Sequence, residues 1–150
     1  MSVDMDTFFM SKAIALAKEA YQSGEVPVGA VIVKNGEIIG MGFNRRETEK
    51  NSLMHAEISA IDEACKTLGD WRLSGCTMYV TLEPCPMCAG AIINARIDRV
   101  VFGAADKKAG CLGSVIDLFS LPFNHKPDVF FGVLEDECKK ILEDFFLKLR

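Results

Sequence analysis

Residues 76–103, CTMYVTLEPCPMCAGAIINARIDRVVFG, decide the fold. Cys76 to Leu82 is a β-branched and apolar run that reads as a strand. Pro84-Cys85-Pro86 then opens a helix through about Ala95, since proline suits a first turn whose N–H has no partner in any case. Arg99 to Gly103 is a short apolar strand of the kind covered on both faces. Strand, helix and strand in so few residues make a βα crossover between parallel strands.

Upstream, Asp6 to about Gln22 places Phe9, Ala13, Leu16, Ala17 and Ala20 on one face of an amphipathic helix. Val28–Val33 and Glu37–Phe43 read as strands joined through Lys34-Asn35-Gly36, where Asn-Gly supplies the positive φ of a tight hairpin. A second helix begins near His55, with Ile58, Ile61, Cys65 and Leu68 as its expected inner stripe, and Gly69-Asp70 ends it. Downstream lie an expected helix over Ser114–Phe119, a fifth strand over Asp128–Val133 and a last helix with Leu134, Cys138, Ile141, Leu142, Phe145 and Leu149 on one stripe. The 24 residues from 104 to 127 suffice for a crossover, so the fourth and fifth strands are expected to be parallel. The class is α/β: a single domain over residues 1–150, with a five-stranded mixed sheet and helices on both faces.

The chain has 150 residues, 49% of them apolar and 25% charged, which excludes a disordered or collagen-like polymer. At this size about 68% of the unfolded chain's surface is buried on folding, enough for a core without staples. No apolar stretch approaches the roughly 18 residues of a membrane span, and MSVDMDTFFM lacks the apolar region of a signal peptide. A cytoplasmic protein without a membrane partner is expected. A net charge of −4 argues against coating nucleic acid through bulk charge, so such contact must be local. Arg45, Arg46, Lys50, Lys107, Lys108 and Lys126 all fall in loops that follow strands. Of six cysteines only Cys85 and Cys88 are closely paired; the other four read as packing.

That pair and His55-Ala56-Glu57 carry the chemistry. Cysteines three apart on a helix lie about 60° apart in projection, so both sulfurs reach one ion. A helix N-terminus stabilises thiolate, the form that binds metal. Two sulfurs and an imidazole suit one Zn²⁺ and leave its fourth tetrahedral position open, whereas a structural site would want a fourth protein ligand. Glu57 would then carry protons to and from the reacting centre. Two residues apart on a regular helix diverge by about 200°, so the helix must begin irregularly for His55 and Glu57 to share that centre. The combination is the H-x-E…P-C-x-x-C signature of zinc deaminases.

With PVGAVIV, FNRRE, HAEISAI, TLEPCPMCAGAI, RVVFGAADKKAG and LPFNHKPDV, the chain resembles the cytidine-deaminase-like superfamily and, within it, the bacterial tRNA-specific adenosine deaminases. The resemblance implies a three-layer α/β/α cytidine-deaminase-like fold, one zinc per subunit and hydrolytic deamination of the wobble adenosine to inosine in a tRNA anticodon. It implies His55, Cys85 and Cys88 as zinc ligands, Glu57 as the catalytic acid–base, and Asn44 and Ala56 on the base. Asp106, Lys107, Asn124 and His125 would meet neighbouring nucleotides, with Phe146 or Arg150 as further contacts. Family members pair as homodimers on a tRNA anticodon arm; DNA is not expected as a partner. Each contact residue also has a plain structural reading, such as Asn44 ending a strand or His125 capping a turn. A guanine, cytosine or nucleoside deaminase acting on a small free substrate is the competing reading, and a non-catalytic zinc module the third.

Overall fold

The computed structural model describes residues 3–149; Arg150 therefore lies outside the described residues. The chain runs α1 (Val3–Gln22), β1 (Gly29–Lys34), β2 (Glu37–Phe43), α2 (Ala56–Leu68), β3 (Cys76–Leu82), α3 (Pro86–Asn94), β4 (Arg99–Ala104), β5 (Asp128–Phe131) and α4 (Glu135–Lys148). Strand order is β2-β1-β3-β4-β5. β1 is antiparallel to both β2 and β3, while β3, β4 and β5 are mutually parallel, so the expected mixed sheet and parallel fourth and fifth strands are found. Asn35 and Gly36 both take positive φ, 52° and 78°, at the hairpin.

Period-2 burial divides the core between two helical layers. Ala30 and Ile32 of β1, Met78 and Val80 of β3, and Val100 and Phe102 of β4 pack with Ala56, Ala60 and Ala64 of α2 and Ile92 and Ile93 of α3. The alternate residues Val31, Val33, Tyr79 and Val101 face Phe9, Met10 and Ala13 of α1 and Cys138 of α4. A partly buried ion pair ties α1 to the sheet: Arg99 donates through Nη1 and Nη2 to the two oxygens of Asp6, at 2.9 and 2.6 Å. Tyr79 donates its hydroxyl to the same carboxylate at 2.7 Å. No helix among the described residues is long and apolar enough to cross a membrane.

Several expectations from sequence need correction. The residues of α2 that are fully covered are Ala56, Glu57, Ala60 and Ala64, whereas Ile58, Ile61, Cys65 and Leu68 are only half-buried. Close approach selects the small residues. A Cβ at Gly40 would overlap the Ala60 carbonyl oxygen, and one at Gly42 would overlap that of Ala56. The helix thus rests directly on the backbone of β2, and bulky side chains are displaced to its flanks.

The helix expected over Ser114–Phe119 is instead a loop with a single 3₁₀ turn, Leu118–Ser120. Its amides are engaged elsewhere: Ser114 donates to the carboxylate of Glu83, Val115 to the Gly110 carbonyl and Leu118 to the Cys111 carbonyl. Strand β5 stops at Phe131 rather than Val133, and α1 begins at Val3 rather than Asp6. On α4 only Cys138 and Phe145 are buried; Ile141 and Leu142 are half-covered and Leu149 is exposed. Gly69 ends α2 as expected, with φ 67°.

The contact between β2 and α2 carries His55 and Glu57, so it is a test point. Gly42→Ala is expected to destabilise the protein by about 1–3 kcal/mol through overpacking against the Ala56 carbonyl, read as a lower denaturant midpoint.

Candidate active site

Because β1 is antiparallel to both its neighbours, β2 and β3 point the same way, and their C-terminal ends share one edge of the sheet. Both α2 and α3 begin at that edge. His55 is the N-cap of α2 and Cys85 the N-cap of α3, each with extended backbone. At φ −78° and ψ 155°, His55 sits before the first helical turn, which is the irregular start required for it to share a centre with Glu57. Cys88 lies one turn into α3.

The imidazole Nδ1 of His55 is 3.6 Å from the sulfur of Cys85 and 3.6 Å from that of Cys88. A tetrahedral ion with Zn–N about 2.0–2.1 Å and Zn–S about 2.3 Å would separate N from S by about 3.6 Å. Within that spacing the three donor atoms can hold a metal ion; they form the one such group among the described residues. Of the three donors, Cys85 is the one already held as thiolate. Its hydrogen bond with Cys88 holds the Cys85 thiol down to about 4 against the opposing effect of burial, and His55 lowers it further. The same neighbour, Cys85, together with burial, pushes Cys88 up. Hydrogen bonding to Cys85 raises His55 above its ordinary value, although burial works the other way.

Glu57 is buried beside this cluster, with its side chain against Cys88. Burial raises its carboxyl to about 7, opposed by its own backbone N–H and by His55, and reinforced by the negative charge of Cys85. A carboxyl titrating near neutrality can both take and give a proton.

A cleft of about 230 Å³ opens over these groups. Val26, Val28, Asn44, Arg46 and Ala56 line it together with Leu82, Glu83, Asp106 and Ala109. Asn44 is buried, its amide donating to the Val26 carbonyl and its oxygen accepting from the Arg46 N–H, both at 3.2 Å. It therefore ends β2 and also faces the cleft. The Asp106 carboxylate accepts from the amides of Lys108 and Ala109, closing a turn that leaves Lys107 exposed at the rim.

Asn124 and His125 are not brought to this cleft. His125 Nε2 bonds the Ile97 carbonyl oxygen at 2.7 Å, and Ile97 precedes the first residue of β4, at the opposite end of the sheet. Asn124 is exposed beside it. The local sequence carries no sign of this, because the segment 105–127 recrosses the whole length of β4 before β5 begins. Phe146 is exposed on α4.

Two buried acids that anchor the rim loops carry no motif in the sequence. Glu25 accepts from the amides of Glu47 at 3.0 Å and Thr48 at 2.6 Å, and from the Thr48 hydroxyl at 2.6 Å, anchoring the loop that leads into His55. Glu83 does the same for the loop after β4, accepting from the amides of Asp106, Leu112 and Ser114. The available signal was a lone acid bounded by apolar and turn residues, Gly24-Glu25-Val26 and Leu82-Glu83-Pro84.

A family profile described as MafB19-like deaminase matches residues 4–150. The chain is 56% identical over 146 residues to the tRNA-specific adenosine deaminase of Bacillus subtilis (strain 168), covering 97% of this chain and 91% of the relative. A solved structure from studies of A-to-I editing by tRNA:A34 deaminases at the wobble position of transfer RNA superposes with a TM-score of 0.88. It is 46% identical to this chain and covers 91% of it and 99% of its own length. A guanine deaminase from Nitrosomonas europaea, 23% identical, shares the fold with a TM-score of 0.78, covering 93% of this chain and 83% of its own.

The Glu25 anchor predicts a pH-dependent stability. Burial alone would raise its carboxyl, but the Thr48 and Glu47 donors and the charge of Arg46 outweigh it and hold it below the ordinary 4.5. Its contribution is therefore fully present above 4.5 and lost as pH falls through the lower native value. Glu25→Gln is expected to cost about 1–3 kcal/mol near neutrality, where it leaves amide donors poorly met, with the gap to wild type narrowing in acid below that point. Denaturant midpoints across pH measure both.

Proposed function

The chain belongs to the MafB19-like deaminase family, and from that membership we propose that it hydrolytically deaminates the wobble adenosine of a tRNA anticodon to inosine, as a single zinc-dependent deaminase domain. The observation that carries this reading is the buried carboxyl of Glu57 set against an imidazole and two sulfurs at metal-binding spacing. The 56% identity to a tRNA-specific adenosine deaminase supports the substrate.

His55, Cys85 and Cys88 would hold one zinc ion, which when bound supplies Lewis-acid activation of water for the hydrolysis. Glu57 takes the proton that the attacking water releases and passes it to the purine ring nitrogen; it then moves the remaining proton of the newly added hydroxyl to the amine, so that the C–N bond breaks, ammonia leaves and the C6 carbonyl forms. Asn44 keeps one amide hydrogen and one oxygen lone pair beyond its two loop bonds for the base edge. The N–H of Ala56, in the first turn of α2, has no intrahelical acceptor and is available to the same base. The small cleft admits a single base, so the target nucleotide enters flipped from its stack while its neighbours lie on the rim. Asp106 and Lys107 stand at that rim.

The protein is assigned to the cytoplasm, with the tRNA anticodon arm as its partner and a second copy of itself across the α2–α3 side. Exposed Leu53, Trp71, Val115 and Phe123 and the apolar outer face of α3 support that pairing.

Purified protein incubated with an anticodon stem-loop is expected to release ammonia and form inosine, with no turnover of guanine, cytosine or free adenosine. Activity on a free base alone would overturn the assignment. Glu57→Ala is expected to keep zinc and fold while losing at least roughly 10²-fold in kcat. In Cys85→Ala or Cys88→Ala, metal analysis should find zinc lost and thermal stability reduced, because binding and folding are coupled.

A further inference from the structure

The segment after β4 forms one wall of the cleft with almost no regular structure, and a single buried side chain organises it. Glu83 accepts at Oε1 from the Asp106 amide, at 3.0 Å, and from the Ser114 hydroxyl. At Oε2 it accepts from the amides of Leu112, at 2.9 Å, and Ser114, at 3.1 Å. Four donors from one arc of chain thus converge on one carboxylate. Position 110 reports the same wrap independently: a Cβ there would overlap the carboxyl carbon of Glu83, so the arc closes only over glycine. At the start of the arc, the Gly110 amide meets the Asp106 carbonyl at 2.8 Å, completing the turn in which Asp106 accepts from Lys108 and Ala109. Asp106 and Ala109 face the cleft, and the two lysines of the turn are exposed at its mouth.

We propose that Glu83 is a positioning residue for the polynucleotide: it holds the 106–109 turn in the conformation that receives the nucleotides flanking the target base. The inference rests on the RNA-deaminase reading above. Glu83 itself borders the cleft, but its four acceptor positions are taken by the arc, so it acts through the turn and not on the reacting atoms. A wall ordered before binding spares the complex the cost of ordering it, and that saving appears in substrate affinity. Loosening the wall should therefore raise KM much more than it lowers kcat.

Glu83→Gln keeps the shape but turns an acceptor oxygen into an NH₂ facing N–H donors. Gly110→Ala disturbs the wrap from the other side without altering the carboxylate, and Ser114→Ala removes one donor from an exposed position as the mildest variant. In Glu83→Gln and Gly110→Ala, the KM for an anticodon stem-loop is expected to rise at least about tenfold, with kcat falling less than about threefold. Both should retain one zinc per chain, and exchange of the Leu112 and Ser114 amides should quicken by about tenfold or more. In Ser114→Ala the KM should rise about threefold, which tests the assignment even where the stronger variants do not fold. Unchanged KM in folded, zinc-loaded variants overturns the proposal, as does a fall in kcat that merely follows zinc loss. A wild-type protein inert toward the stem-loop is a separate result, seen before any variant is compared; it overturns the substrate reading itself.

Discussion

The imidazole of His55 stands 3.6 Å from two sulfurs because two helices start side by side at one edge of a sheet. That placement has two causes. One is the parallel sense of β2 and β3, imposed by the antiparallel β1 between them. The other is the direct seating of α2 on β2, where glycines on the strand meet carbonyls and alanines on the helix. A methyl group at Gly42 would push on the first turn of α2, and with it His55 and Glu57, while one at Gly40 would push on Ala60 and Ala64 further along the helix. The metal-binding group is thus a consequence of backbone packing before it is a matter of ligand chemistry.

Buried acids are used in two opposite ways around the cleft. Burial by itself raises the carboxyls of Glu25, Glu83 and Glu57 alike. Glu25 and Glu83 are each supplied with several amide and hydroxyl donors, which overcome that effect and keep the groups charged below their ordinary range. They serve as anchors, one for each rim loop. Glu57 receives far less: its own backbone N–H and neighbouring His55 only partly offset burial, and the negative charge on Cys85 works against ionisation. It titrates near neutrality instead. The same residue type becomes scaffold or proton carrier according to how many donors surround it.

This division also explains the shape of the cleft. The rim loops 44–54 and 105–117 have few hydrogen bonds of a regular kind, yet each is tied at several points to one carboxylate. Variation in loop residues can then change what the rim presents while the anchors and the metal-binding group stay in place. The shared fold with a guanine deaminase is consistent with such a scaffold.

Much of this was legible in sequence. The β-rich run of β1, the Asn-Gly hairpin, the proline-led start of α3 and the H-x-E…P-C-x-x-C pattern follow from local rules of backbone and ligand chemistry, and they specify the element order, the mixed sheet and the metal donors. What local rules could not supply was set by distant contacts. The inner face of α2 went to alanines because two glycines on another strand allow backbone to touch backbone. The stretch 114–119 did not become a helix because a carboxylate thirty residues earlier takes the Ser114 amide and hydroxyl, while Val115 and Leu118 donate to carbonyls of the loop before it. Asn124 and His125 lie at the far end of the sheet because a loop turns back along β4. Periodicity and motif spacing describe each segment by itself; which segment claims a hydrogen bond or a close approach is decided only when the chain is assembled.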